Sequence, residues 1–178
     1  FQLSRQMVRL HHRSYRRYFI RSTDLSGPCS IMLGARGVGK TTTLVQALVD
    51  RFPDYAGSRE CLYLPIDHAA VGYRTLYDIA REFAEQGGQL LCVDEIHKDP
   101  CWSRDLKSIR DSFPDLQLMV SGSSMLHIRR GSHDLARRAL VYPIEGLSFR
   151  EFLELSSEIE LAPVPLSRVL QEHETLAA

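Results

Sequence analysis

The run Gly34-Ala35-Arg36-Gly37-Val38-Gly39-Lys40-Thr41 fits G-x-x-x-x-G-K-[ST] at every fixed position, and nothing else in the chain constrains the fold as strongly. Glycines at these places let the main chain curl until successive N–H groups face one point. Before the run, Cys29 to Leu33 is apolar and bounded by the turn Ser26-Gly27-Pro28, which predicts a buried strand. After it, Leu44, Leu48 and Phe52 fall on one stripe and Pro53 follows, which predicts a helix over 40–52. That helix aims its first amides and the positive end of its dipole at an anion. Lys40 adds a point charge suited to β- and γ-phosphates, and the Thr41 hydroxyl can ligate Mg²⁺. A glycine turn that only joined strand to helix would have no use for Lys-Thr at its end. Gly34, Arg36, Gly37, Val38, Gly39, Lys40, Thr41 and Thr42 are therefore the expected nucleotide-binding residues.

The rest of the chain repeats the strand-then-helix pattern. Cys61 to Ile66 is apolar and ends in Asp67, and Leu76, Ile79, Ala80 and Phe83 mark a helix closed by Gly87-Gly88. Leu90 to Val93 runs into Asp94-Glu95. Trp102, Leu106, Ile109 and Phe113 mark another helix, which Pro114 ends. Leu116 to Val120 leads to Ser121-Gly122-Ser123, and Ala139 to Ile144 is a fifth strand. Ser148-Phe149-Arg150-Glu151 is a capping box, with Leu147 and Phe152 at its staple positions. Leu3, Met7 and Leu10 allow an amphipathic helix over 3–20. Short apolar strands alternating with helices imply a parallel sheet covered on both faces, an α/β three-layer sandwich. The expected organisation is a basic helical arm at 1–23, a nucleotide-binding domain at 24–160 and a C-terminal tail at 161–178.

Parallel strands bring their C-terminal ends to one edge, so Asp94 should emerge beside the phosphate loop and hold Mg²⁺, directly or through water. Glu95 can then reach the attacking water as general base or positioner. The alternative is an ordinary acidic pair on a strand-end loop. Ser121 and Ser123, at the end of the fourth strand, are equal candidates to bond the γ-phosphate or the water, with a plain polar turn as the other reading. Arg129, Arg130, Arg137 and Arg138 could place a guanidinium against the transferring phosphoryl group, from the same chain or a neighbour. Asp67 could face the same edge, and His97 reads as a hydrogen-bonding neighbour of Glu95.

Net charge decides less. The 178 residues carry 22 Lys plus Arg and 22 Asp plus Glu, so no global field draws the chain to nucleic acid or membrane. The distribution is uneven. Arg5, Arg9, Arg13, Arg16, Arg17 and Arg21 all lie within 1–23, which holds no acid. With Tyr15, Tyr18 and Phe19 they form the one nucleic-acid candidate, whose binding should fall steeply with salt. Cys29, Cys61, Cys92 and Cys101 lack C-x-x-C spacing, so neither a zinc site nor a disulfide framework is expected, and reduced thiols suit the cytosol. No apolar run is long enough to cross a bilayer.

Four pieces now stand in order: G-A-R-G-V-G-K-T-T-T-L at 34–44, L-L-C-V-D-E-I-H-K at 90–98, V-S-G-S-S at 120–124 and G-L-S-F-R-E-F-L at 146–153. This order resembles a large family of predicted prokaryotic AAA-type ATPases, whose members typically continue into a second, C-terminal domain. The resemblance covers about residues 10–155, and the piece at 146–153 is its most specific part. It implies an AAA/ASCE-like P-loop fold and the binding and hydrolysis of ATP; AAA-type relatives often assemble, which leaves room for a homo-oligomer or a protein partner. It also matches Arg138 to the arginine of the family's usual Gly-Arg pair, which makes it the leading candidate among the arginines, although Arg137 stands where the family has Gly, and His97 where it commonly has Gln. The chain opens on Phe1 and stops near where the second domain would begin, so it is expected to be part of a longer protein.

The sequence thus points to an ATP-binding protein that hydrolyses Mg-ATP to change shape or assembly, with Glu95, Lys40 and Arg138 as catalytic residues. A nucleotide-gated switch with negligible hydrolysis is the alternative. A small-molecule kinase is disfavoured by the acid directly after Asp94.

Overall fold

The computed structural model describes residues 1–122, 138–157, 162 and 164–176. Five strands, β1 (Cys29–Leu33), β2 (Cys61–Pro65), β3 (Leu90–Asp94), β4 (Gln117–Gly122) and β5 (Leu140–Pro143), form one sheet in the order β2-β3-β4-β1-β5. Every neighbouring pair is parallel. The three central strands are fully buried or nearly so, as expected for continuous apolar runs covered on both faces.

Side chains alternate across this sheet, and the alternation sorts the core into two layers. Ile31, Leu91, Val93, Leu118 and Val120 pack with α4 (Leu76–Glu85) and α5 (Trp102–Ser112). Met32, Cys61, Tyr63, Leu90, Cys92 and Met119 pack on the other face with α3 (Lys40–Arg51) and with Val8 of α1 (Gln2–His11). The α/β P-loop sandwich expected from the sequence is the observed fold.

The N-terminal residues depart from expectation. The single helix predicted over 3–20 is two helices, α1 and α2 (Tyr18–Ser22), separated by an extended stretch. The break has a tertiary cause. The buried Gln46 side chain on α3 donates to the carbonyls of Arg13 at 2.8 Å and Tyr15 at 2.7 Å, groups that a continuous helix would use internally. Residues 1–23 pack on the rest of the domain. Val8 and Ser4 are buried, and Ser4 Oγ accepts the N–H of Tyr63 at 2.8 Å, satisfying an amide of the edge strand β2. Arg16 pairs with Asp50 on α3, and Arg13 bonds to carbonyls of its own stretch, so this charge is largely engaged within the fold.

The chain forms two compact units, Phe1–Gly146 and Leu147–Ala178. The second unit holds α6 (Phe149–Ser157) and α7 (Leu166–Leu176). The capping box is present: Ser148 N donates to Glu151 Oε2 at 2.8 Å, and Glu151 N to Ser148 Oγ at 3.2 Å.

Candidate functional site

The phosphate loop leaves the C-terminal end of β1 and enters α3. Gly34 is pressed against the main chain after β5, where an added Cβ would lie 2.2 Å from Ile144 O. Gly39 caps α3 at φ 91°, the left-handed region open to glycine. The first amides of α3 beyond it lack intrahelical partners by construction. Lys40 is almost wholly buried, and its ammonium folds back over the loop, donating to Gly34 O at 3.0 Å and Ala35 O at 2.8 Å. Burial pushes its pKa down, against the favourable charges of Glu95 and Asp94. Thr42 and Val38 are half-buried, and Arg36 is exposed on the rim.

The acid expected beside the loop is there. Asp94, at the end of β3 and 5% exposed, accepts a hydrogen bond from Thr41 Oγ1 at 2.8 Å. Strand alternation explains why. Asp94 continues the Leu90, Cys92 series, Ser121 continues from Met119, and both therefore face α3. Ser121 Oγ donates to Asp94 Oδ1 and accepts the Glu95 N–H at 3.1 Å. Tyr63 lies in the same layer and donates its hydroxyl to Asp94 Oδ2 at 2.6 Å. Burial, with Asp94 adding to it, raises the Tyr63 pKa well above the ordinary phenol range, so the group stays a donor. One buried carboxylate thus collects hydroxyl donors from β2, β4 and α3.

Sequence reasoning had no place for Tyr63. The available signal was its parity: it is two residues before Pro65, which pairs with Asp94 in the β2–β3 register.

Glu95 adopts φ 57°, ψ 40°, the one non-glycine residue at positive φ among the described residues. Its carboxylate lies 3.3 Å from His97 Nε2, in keeping with the neighbour role expected of that histidine. Asp67 is exposed just past β2, on the same edge.

Two expected residues are engaged elsewhere. Ser121 was a candidate to bond phosphate or water, but its hydroxyl is fully buried and turned to Asp94 and the Glu95 amide. Ser123, its rival, lies outside the described residues, as do Arg129, Arg130 and Arg137. Arg138 is described, and it is at the wrong end of the sheet for its own chain's site. It precedes β5, whose Leu140 pairs with Ser30, so it sits level with the start of β1, whereas the loop begins after β1 ends. At about 3.3 Å per residue the gap along the strands is roughly 20 Å, beyond the reach of one side chain. There Arg138 pairs with Asp111, Nε to Oδ1 at 2.7 Å.

The donor set suits a hard cation: Thr41 supplies a hydroxyl and Asp94 a carboxylate within hydrogen-bond distance of each other. Among the described residues no cluster of three His, Cys, Asp or Glu could hold a metal unaided. All four cysteines are free, and no described helix is long and apolar enough to cross a membrane.

Residues 26–153 match the family model described as "AAA domain". An uncharacterised protein of Methanocaldococcus jannaschii is 33% identical over 142 residues, an alignment that takes in 74% of this chain and 28% of that protein. The chain therefore spans little more than a quarter of this curated relative. Among solved structures, similarity is found to C. elegans PCH-2, with 14% identity and a TM-score of 0.43 over 98% of this chain and 46% of that one. It is also found to the DnaC helicase loader, with 13% identity and a TM-score of 0.39 over 80% of this chain and 89% of the other.

Proposed function

This chain belongs to the AAA domain family, and from that premise we propose that it binds Mg-ATP at Gly34–Thr42 and hydrolyses it with Glu95 as the base. The observation that carries the reading is the 2.8 Å bond between Thr41 and Asp94, which joins the end of the phosphate loop to the acid of a different strand. Lys40 would exchange its two loop carbonyls for β- and γ-phosphate oxygens, a change that offsets the desolvation now lowering its pKa. Thr41 and Asp94 would hold Mg²⁺, which when bound neutralises charge developing on the phosphates. Asp94, kept in place by Tyr63 and Ser121, cannot swing away from that task. Glu95 would take the proton of the attacking water. Adenine as the base follows from family resemblance, since such loops grip phosphates.

Free buried thiols support a cytosolic setting. Arg138, half-buried on the far edge, could serve the loop of a second copy but not its own. A nucleotide-gated switch that turns over negligibly is favoured by one observation, the pairing of Glu95 with His97, which holds the would-be base on a neighbour.

Steady-state phosphate release by wild type, Glu95→Gln and Lys40→Ala separates the two. Hydrolysis predicts a wild-type rate that Glu95→Gln lowers about 100-fold or more while ATP still binds, within the range for a positioned general base. Equal, near-zero rates for wild type and Glu95→Gln, with binding intact, would leave the switch. Unaltered ATP affinity in Lys40→Ala would refute the phosphate site itself.

A further inference from the structure

Arg17 lies in the extended stretch between α1 and α2, and the catalytic reading leaves it without a role. Its guanidinium donates to three main-chain carbonyls: Val38 at 2.7 Å inside the phosphate loop, and Glu145 at 2.8 Å and Gly146 at 2.7 Å past β5. Its stem runs beside the loop, with Cδ 3.9 Å from where a Cβ on Gly39 would be. The two segments it bridges also touch directly. Ile144 N donates to Leu33 O at 2.6 Å, and Gly34 is packed on Ile144 O. Arg17 is itself held, because Gln46 fixes the carbonyls of Arg13 and Tyr15, and Arg16 is paired with Asp50.

The peptide geometry gives this bracket a consequence. In a trans peptide the C=O of one residue and the N–H of the next point in opposite directions. Holding Val38 O toward Arg17 therefore turns the Gly39 N–H to the other side of the loop, where phosphates would lie. A planar fork with five donors holds carbonyls of two segments in one fixed geometry, which the compact ammonium of a flexible lysine does not reproduce.

We propose that Arg17 is a positioning residue for nucleotide binding, which orients the Val38–Gly39 peptide and ties the phosphate loop to residues 145–146, where the first compact unit ends. The proposal rests on the reading of Gly34–Thr42 as the phosphate site. Occupancy of the loop is then felt at 145–146, and by linkage the state of that segment feeds back on affinity.

The test compares wild type, Arg17→Lys, Arg17→Gln and, as a control for the same stretch, Arg16→Gln, which contacts α3 rather than the loop. Mg-ATP affinity is measured by calorimetry, turnover by phosphate release, and hydrogen exchange over 143–150 with and without nucleotide. Both Arg17 variants should bind about 10- to 30-fold more weakly, as expected when charge-assisted hydrogen bonds that shape a site are lost. KM should rise with kcat within about twofold, the signature of lost uniform binding. Nucleotide should slow exchange over 143–150 in wild type and in Arg16→Gln, and leave it unchanged in the Arg17 variants. Wild-type affinity in Arg17→Lys overturns the inference, and so does an equal loss in Arg16→Gln, which would mean general loosening of the segment. Wild type that binds no nucleotide overturns the phosphate-site reading instead.

Discussion

Replacing Tyr63 with Phe removes one hydroxyl and leaves the ring, so no cavity opens and the lost interaction is the bond to Asp94 Oδ2 at 2.6 Å. A hydrogen bond to a charged group contributes about 1.5–3 kcal/mol net. Here the carboxylate is not stranded, because Oδ2 keeps Thr41 at 2.8 Å and Oδ1 keeps Ser121. The cost should therefore sit near the low end, about 1.5 kcal/mol, or a fall in Tm of roughly 3–6 °C for a chain of this size. Asp94→Asn provides the partner for a double-mutant cycle, since it keeps the shape and removes the charge. Denaturant unfolding of the two single variants and the double variant should give a coupling energy of about 1 kcal/mol. Additivity to within about 0.3–0.5 kcal/mol would mean that the two groups act independently. In that case Tyr63 does not hold the acid, and the account of a carboxylate fixed by three hydroxyls fails.

Gly34→Ala should be destabilised by about 1–3 kcal/mol and bind nucleotide at least tenfold more weakly, because the new methyl meets the Ile144 main chain at 2.2 Å; thermal melts and nucleotide titration matching wild type would contradict that close approach. Stability should also fall at alkaline pH. Burial raises the pKa of Cys29 to about 12, and it likewise raises Cys92, Cys61 and Tyr63, so the unfolded chain releases these protons first, from about pH 9.0 for the thiols and 10.0 for the phenol. Their contribution is full below pH 9.0 and is lost as pH rises above it, by up to about 1.4 kcal/mol per pH unit for each of the two most buried thiols. Lys40, lowered by burial from 10.5, pulls the opposite way as one group against four, so a flat unfolding free energy between about pH 9 and 11 would refute the burial of these groups.

The strands and the phosphate loop were legible because each depends on local signals. Cys29–Leu33, Leu90–Asp94 and the glycines of 34–39 announce themselves by apolar runs and turn residues. The parallel rule then placed Asp94 beside Thr41. The break between α1 and α2 was not legible, because its cause is Gln46, more than thirty residues away, taking carbonyls that local propensity assigns to a helix. The same parallel rule separates Arg138 from its own chain's loop. Gly34, Asp67 and Asp94 come at or after the ends of their strands and Ser121 is the last residue but one of β4, whereas Arg138 comes before β5 and so belongs to the opposite edge. The role of Tyr63 required knowing which strand lies beside β3, and strand order cannot be read from strand identity.

Glu95 shows why the acid pair is more than two adjacent residues. Regular alternation would send Asp94 and Glu95 to opposite faces of the sheet. The left-handed conformation at Glu95 ends that alternation, and both carboxylates then act on the Lys40 ammonium, Glu95 more strongly than Asp94. Such a conformation costs a non-glycine residue about 1–2 kcal/mol. It is held by the Ser121 hydroxyl on the Glu95 amide, by the turn bond from Lys98 N to Glu95 O at 2.9 Å and by the fully buried Ile96 that follows. Glycine would relax this backbone and leave those main-chain bonds intact. The chain instead carries a glutamate where its backbone alone would favour glycine, and in this conformation the carboxylate lies 3.3 Å from His97 Nε2 while its charge favours the protonated Lys40.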